Sequence, residues 1–413
     1  MLTIRDPIHG FIRADPFEAA LIASRPMQRL RYVHQLGLTS LVFPGAEHSR
    51  FSHALGAMKL AGRVYDALAG GADHLLPRGR ERRERRLVRA AALLHDIGHA
   101  PFSHSAEELF EGGLDHEAMT RRLLTGLPEM AEVFARHGGG EPGGPDGPSE
   151  PISPDDVVAL LSGGEGGGDG PVGRLLAQIV SGDLDVDKMD YLLRDSLYCG
   201  VRYGSYDLDR LLDTLAPLQD PESGGWGIGV EAGGVHAVEA LVMARYYMFT
   251  QVYFNPTGKA LELHLNEWLA EEGRRWPADP EAFLAEDDVS VQGELRRSPN
   301  PHARAVVERR HFPLAFESEE HLSAEDRARF EATLDTVRAA FPRGDLLVSH
   351  SAKDPHHFER GRLLVRHPDG RLQPITEASH FIRHLSRIER FRVYASDERC
   401  AEVREAIRRR WEG

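Results

Sequence analysis

Cysteine is nearly absent: the 413 residues hold two, Cys199 and Cys400. That excludes a disulfide framework, and no CxxC pair suggests structural zinc. The expectation is a reducing, cytoplasmic setting. Long hydrophobic runs are lacking too. The most apolar stretch, Leu87 to Leu94, is interrupted by Arg89 and falls far short of the roughly 20 residues that span a bilayer. Met1 to Gly10 already carries Arg5, Asp6 and His9, so no signal peptide is expected. Nor is there an excess of positive charge. A formal net charge of -14 argues against a general nucleic-acid or membrane-surface protein. A chain this acidic can hold a phosphate ligand only by gathering its basic residues locally.

What remains is ample material for a globular protein. Hydrophobic residues make up 41% of the chain, and the length allows two or three domains. Most of residues 16–275 reads helical, with buried apolar spacing in 51–68 and 84–95 and a long run at 237–269 broken at Asn255-Pro256. Gly/Pro-rich stretches near 138–151 and 163–171 read as loops within this helical part. From about residue 276 short strands alternate with helices: strands at 311–316, 345–349, 362–366 and 391–395, helices at 324–340 and 397–411. Pro368-Asp369-Gly370 reads as the turn of a hairpin. The expected fold is therefore mainly α, a helical core over 1–275 followed by a smaller α+β lobe over 276–413. The seven arginines and two glutamates of Arg78 to Arg89 read as a solvated helix start rather than a nucleic-acid patch, since no aromatic residue interleaves.

The chemistry is densest at Leu93-Leu94-His95-Asp96-Ile97-Gly98-His99-Ala100-Pro101-Phe102-Ser103-His104. An apolar helix runs into two adjacent metal-type ligands, and burying them costs free energy unless something pairs with them. A lone His-Asp pair is ordinarily a hydrogen-bonded helix end. Here His53, in Arg50-Phe51-Ser52-His53, opens another apolar helix, and Asp187 lies in the carboxylate-rich segment 183–191. His53, His95, Asp96 and Asp187 together would leave open positions on an octahedral ion, as a catalytic metal needs. Imidazole with carboxylate suits Mn, Fe, Co, Ni or Zn, and Mg where water and phosphate complete the shell.

The order His, His-Asp, Asp resembles the HD phosphohydrolase superfamily. The wider match is similar to its deoxynucleoside triphosphate triphosphohydrolase, dGTPase-like branch. It is carried by Asp6-Pro7-Ile8-His9-Gly10, residues 28–37, Phe43-Pro44-Gly45-Ala46, His48 to His53, His95 to His104 and Asp185 to Asp195. The resemblance implies a helical HD domain, a divalent metal on His53, His95, Asp96 and Asp187, and catalysis by His116 oriented by Glu107. It implies phosphate contacts from Arg50, His99, His104, Lys188 and Arg245. Tyr191, Asp195 and Tyr253 would meet the sugar, and Gln35 and Leu36 the nucleoside. Gln28 and Arg31 match part of a regulatory nucleotide site whose base-reading carboxylate is replaced by Ser24. Phe249 and Phe254 stand where animal relatives carry histidine and glutamine, making the pocket more aromatic. The implied reaction converts a deoxynucleoside triphosphate to deoxynucleoside and inorganic triphosphate. The implied protein is a homo-oligomer, dimeric or tetrameric, open to a nucleotide effector. Two other readings compete: a nucleotidase or phosphodiesterase using the same metal, and a nucleotide sensor without turnover. A mere sensor has no need of a proton donor such as His116.

Overall fold

The computed structural model describes residues 1–70, 81–103, 108–139, 150–163, 171–222, 224–354, 356, 358 and 363–411. His104, Glu107 and most of the two Gly/Pro-rich stretches lie outside the described residues.

Helices dominate, as the sequence predicts. The long helix Arg50–Ala69 packs against Glu81–Leu94 on one side and Val186–Tyr198 on another. Its apolar positions, among them Leu55, Met58, Ala61, Val64 and Tyr65, are buried together with Leu87 to Leu94, and the guanidinium of Arg89 is buried with them against the Glu18 carboxylate. Caps set where the neighbouring helices begin. Asp185 accepts from the Lys188 amide at 2.8 Å, starting the helix that carries Asp187. Asp115 accepts from the Ala118 amide at 2.7 Å, so that His116 becomes the first residue of the helix His116–Gly126. Such caps satisfy amides that the first helical turn leaves without partners. One glycine is dictated by packing: a Cβ on Gly56 would stand 1.8 Å from an Asp190 carboxylate oxygen.

The run 237–269 forms two helices, Val235–Met248 and Pro256–Glu271, joined by a π-helical turn over Phe249–Tyr253. The break falls at Asn255-Pro256 for a simple reason. Asn255 caps the second helix through the Thr257 and Gly258 amides, and Pro256 fills the first position.

Two hairpins depart from the helical reading of the first part. Strands β1 (Leu2–Asp6) and β2 (Gly10–Ala14) pair antiparallel at the start of the chain. Strands β3 (Leu215–Gln219) and β4 (Trp226–Glu231) pair antiparallel inside the stretch read as helix. Pro217 and the alternating Gly227 and Gly229 remove helical propensity there. Strand β5 (Leu314–Glu317) comes next, then β6 (Leu346–Lys353) and β7 (Leu364–Arg366). β8 (Leu372–Pro374) completes the expected hairpin with β7, and β9 (Ile388–Ala395) ends the set. The β7–β8 hairpin joins the β3–β4 pair in a four-stranded sheet through a parallel contact, Val230 opposite Val365.

The smaller lobe is an antiparallel sheet in the order β5-β9-β6, covered by the helices Ala324–Ala340 and Cys400–Trp411. Phe330, Val337, Val393, Val403 and Ile407 form its own apolar core. Segments between and before these strands, including Val291, Val306, Leu363 and Ile382, bury their side chains in the main core instead. Among the described residues no helix is long and apolar enough to cross a membrane.

Candidate active site

The three helix-borne segments singled out in the sequence converge. His53 and Asp187 project from Arg50–Ala69 and Val186–Tyr198, and His95-Asp96 forms the turn after Glu81–Leu94. Ligand atoms of His53, His95 and Asp187 all lie within 4.8 Å of one another. His53 Nε2 is 3.1 Å from Asp187 Oδ1 and 3.4 Å from His95 Nε2. Asp96 stands beside this triad, Oδ1 3.3 Å from His95 Nε2 and Oδ2 3.8 Å from His53 Nε2.

The donor set fits a divalent cation. His53 Nδ1 lies 2.8 Å from the Asp190 carboxylate, which can only accept, and His95 Nδ1 lies 2.8 Å from the Ala92 carbonyl. Both Nδ1 atoms therefore carry a hydrogen, and both Nε2 atoms face the same point. The carboxylates of Asp187 and Asp96 crowd together there, and positive charge, whether protons on the imidazoles or a metal displacing them, relieves their repulsion. Neighbouring ligands of an octahedral ion with bonds near 2.1 Å stand about 3 Å apart, close to the spacings here.

The surrounding charges act in the same sense. Burial alone would lower the His53 pKa, but Asp187 and Asp190 outweigh it and hold it up at about 10. Burial alone would raise Asp187, yet its hydrogen bonds with His53 and His95 pull it well below the carboxylate range. Asp96 is likewise held far down against burial, by Arg50, His95 and His99. The cluster is built to hold positive charge among ionised carboxylates.

Behind it a buried chain of ion pairs fixes His53. Asp190 accepts from His53, from His9 Nε2 at 2.6 Å and from the Arg194 guanidinium, which also reaches Asp6 at 2.9 Å. His9 and Asp6 belong to the matched stretch at the start of the chain, whose bracing role the sequence reading did not draw. Replacing Asp190 by asparagine puts an amide donor where acceptors are needed. The expected result is a metal affinity lower by roughly 10- to 100-fold, read by metal titration of the full chain. Unchanged affinity would show that His53 is oriented without it.

The triad opens into a cavity of about 570 Å³. Its walls carry Gln35, Leu36, Arg50, His99, His116, Lys188, Tyr191, Asp195, Arg245 and Tyr253, all singled out from the sequence. His116 stacks on His99, rings 4.2 Å apart and 15° from parallel. Gly98 makes that approach feasible, because a Cβ there would stand 2.2 Å from the His116 carbonyl oxygen. Arg50 meets Asp96 at 2.5 Å and Ser103 at 2.9 Å, so it braces the His-Asp turn while lining the cavity. Lys188 is tied to Asp185 and to the Gly182 carbonyl. Burial pushes the Tyr191 hydroxyl up to about 12. The Asp195 carboxylate accepts from Tyr253 and from His48, each at 2.7 Å. Phe249 and Phe254 line the same wall.

Gln28 and Arg31 lie apart from the cavity. Arg31 donates to Gln28 Oε1 at 2.8 Å and covers the Phe51 ring at 3.7 Å. Other residues at the site escaped the sequence reading. Asp288 is buried and accepts from the His34 and Phe102 amides, both at 2.8 Å. It thereby anchors the left-handed pair Phe102-Ser103, φ 57° and 59°, against the strand of chain leading to Gln35. Lys259, Glu262 and Lys353 also line the cavity.

The HD domain matches residues 50–195, and the HD associated region matches 207–411. The chain belongs to the HD-domain phosphohydrolase family. Within that family, the YwfO protein of Bacillus subtilis is 37% identical over 68% of this chain and 59% of its own length. This chain thus spans less than two thirds of that relative. The deoxynucleoside triphosphate triphosphohydrolase SAMHD1 homolog of Dictyostelium discoideum is 28% identical over 98% of this chain and 80% of its own. Among solved structures, a hypothetical protein from Aquifex aeolicus superposes with a TM-score of 0.79 at 29% identity, covering 98% of this chain and 99% of that one.

Proposed function

We propose that this HD-domain protein is a metal-dependent deoxynucleoside triphosphate triphosphohydrolase, releasing deoxynucleoside and inorganic triphosphate. The observation that carries the reading is the union of two features in one cavity. His95 and Asp187 of the metal cluster line it, together with Lys188, Arg245 and the Asp195–Tyr253 pair. The triphosphohydrolase name of the Dictyostelium relative supports the substrate class.

His53, His95, Asp96 and Asp187 would hold the metal, one of Mg, Mn, Fe, Co, Ni or Zn. When bound, it supplies charge neutralisation at the phosphoryl group under attack. The chain's own residues do the rest. Lys188 and Arg245 grip the phosphates, Lys as a point charge and Arg as a fork. His116 gives a proton to the 5′-oxygen as its bond to phosphorus breaks and a water oxygen bonds in its place. Asp195, held by Tyr253 and His48, has lone pairs left to accept from a sugar hydroxyl. Gln35 and Leu36 line the nucleoside end. The same reading includes a cytoplasmic homo-oligomer and a nucleotide effector at Gln28 and Arg31.

The test is a product assay with each dNTP, alone and mixed, with Mg, Mn or Co, resolved by anion-exchange chromatography. Deoxynucleoside with inorganic triphosphate is expected. Nucleoside monophosphate as product would move the cleavage site and reject the proposal.

A further inference from the structure

Of the described residues lining the cavity, only Lys353 comes from beyond residue 262. It is the last residue of β6, paired with Ile388 of β9, so the small lobe's sheet fixes its backbone. Its ammonium lies 5.7 Å from the centre of the Phe249 ring, and the Arg245 guanidinium lies 5.4 Å from the same ring. One aromatic side chain is thus flanked by cations from two separate cores. Lys353 makes no ion pair or side-chain hydrogen bond among the described residues. Burial, Arg245 and Lys188 together lower its pKa. Asp187 and Asp354 oppose that shift without cancelling it, and an anion entering the cavity would offset the repulsion Lys353 meets from Arg245 and Lys188.

We propose that Lys353 is a specificity-determining residue through which the small lobe makes the site select a polyphosphate chain over a single phosphate. A lone phosphate has few oxygens to offer once the metal cluster, Lys188 and Arg245 are satisfied. A longer chain carries further charged oxygens to a third cation. The inference rests on the phosphohydrolase reading of the cavity, but concerns phosphate number and not the bond cleaved.

The experiment compares the full chain with Lys353→Ala and Lys353→Arg, using inorganic tripolyphosphate and orthophosphate as calorimetric probes with magnesium in excess. Lys353→Ala is expected to weaken tripolyphosphate binding about tenfold, the size of one charge-assisted hydrogen bond, and to leave orthophosphate binding within about twofold. Lys353→Arg keeps the charge and restores tripolyphosphate binding. Melting temperatures of the three proteins report whether each variant is folded. Undiminished tripolyphosphate binding in the alanine variant overturns the inference, as does an equal loss for both anions. The two proposals fail separately. Selective tripolyphosphate binding without dNTP turnover sinks the function and leaves Lys353 its role. Turnover with an indifferent Lys353 does the reverse.

Discussion

Replacing Asp187 with alanine is expected to abolish metal binding and to lower kcat by roughly three orders of magnitude or more. Asp187 reaches both imidazoles, at 3.1 Å from His53 and 3.8 Å from His95, and its approach to His53 is closer than the 3.8 Å of Asp96. Without it two neutral donors and Asp96 remain, and Asp96 is already engaged by Arg50. The loss has a readout independent of turnover. A metal that binds only the folded protein stabilises it by about 2.7 kcal/mol at a hundred times its Kd. Metal should therefore raise the melting temperature of the parent protein and leave that of the variant unchanged. Folding itself should survive, because Asp187 keeps access to the cavity and its helix is capped by Asp185. A variant that retains stoichiometric metal and full turnover would refute the assignment of the centre.

How far the sequence disclosed this site depends on how each residue acts. His53, His95, Asp96 and Asp187 were legible because they sit in contiguous motifs at helix starts and ends, where spacing and chemistry coincide. Their helices were legible from apolar periodicity, and the lobe's β6 and β9 from short apolar runs such as Leu346-Leu347-Val348 and Phe391 to Ala395. Lys353 had no local signal: it is one lysine at a strand end, and its significance arises from Arg245 and Phe249 on a distant helix. Asp288 was hidden for another reason. It acts on the backbone amides of His34 and Phe102, whose positions no side-chain pattern encodes. The β3–β4 hairpin was missed because its strands are short and glycine-interrupted, and its pairing with β7 joins segments far apart in the chain. Contacts of that kind are a property of tertiary packing and override local propensity.

The complementary substitution is His116→Ala, expected to keep the metal and the nucleotide while kcat falls about 10²- to 10⁴-fold, the usual contribution of a positioned proton donor. The His116 ring rests on His99, and its backbone carbonyl faces Gly98. An alanine preserves that carbonyl and the helix begun by Asp115, so the cavity wall should stand. A group that only packed there would change stability and KM. A group that delivers the proton changes kcat and removes one limb of its pH dependence, since the pH profile of kcat reports ionisations in the bound complex. Metal content, dNTP affinity and the kcat–pH profile measured on one preparation separate the two. A fall in metal content equal to that of Asp187→Ala would make His116 part of the centre's framework. Unaltered kcat would pass the proton to another group, and His99, stacked directly against it, would then be the next residue to replace.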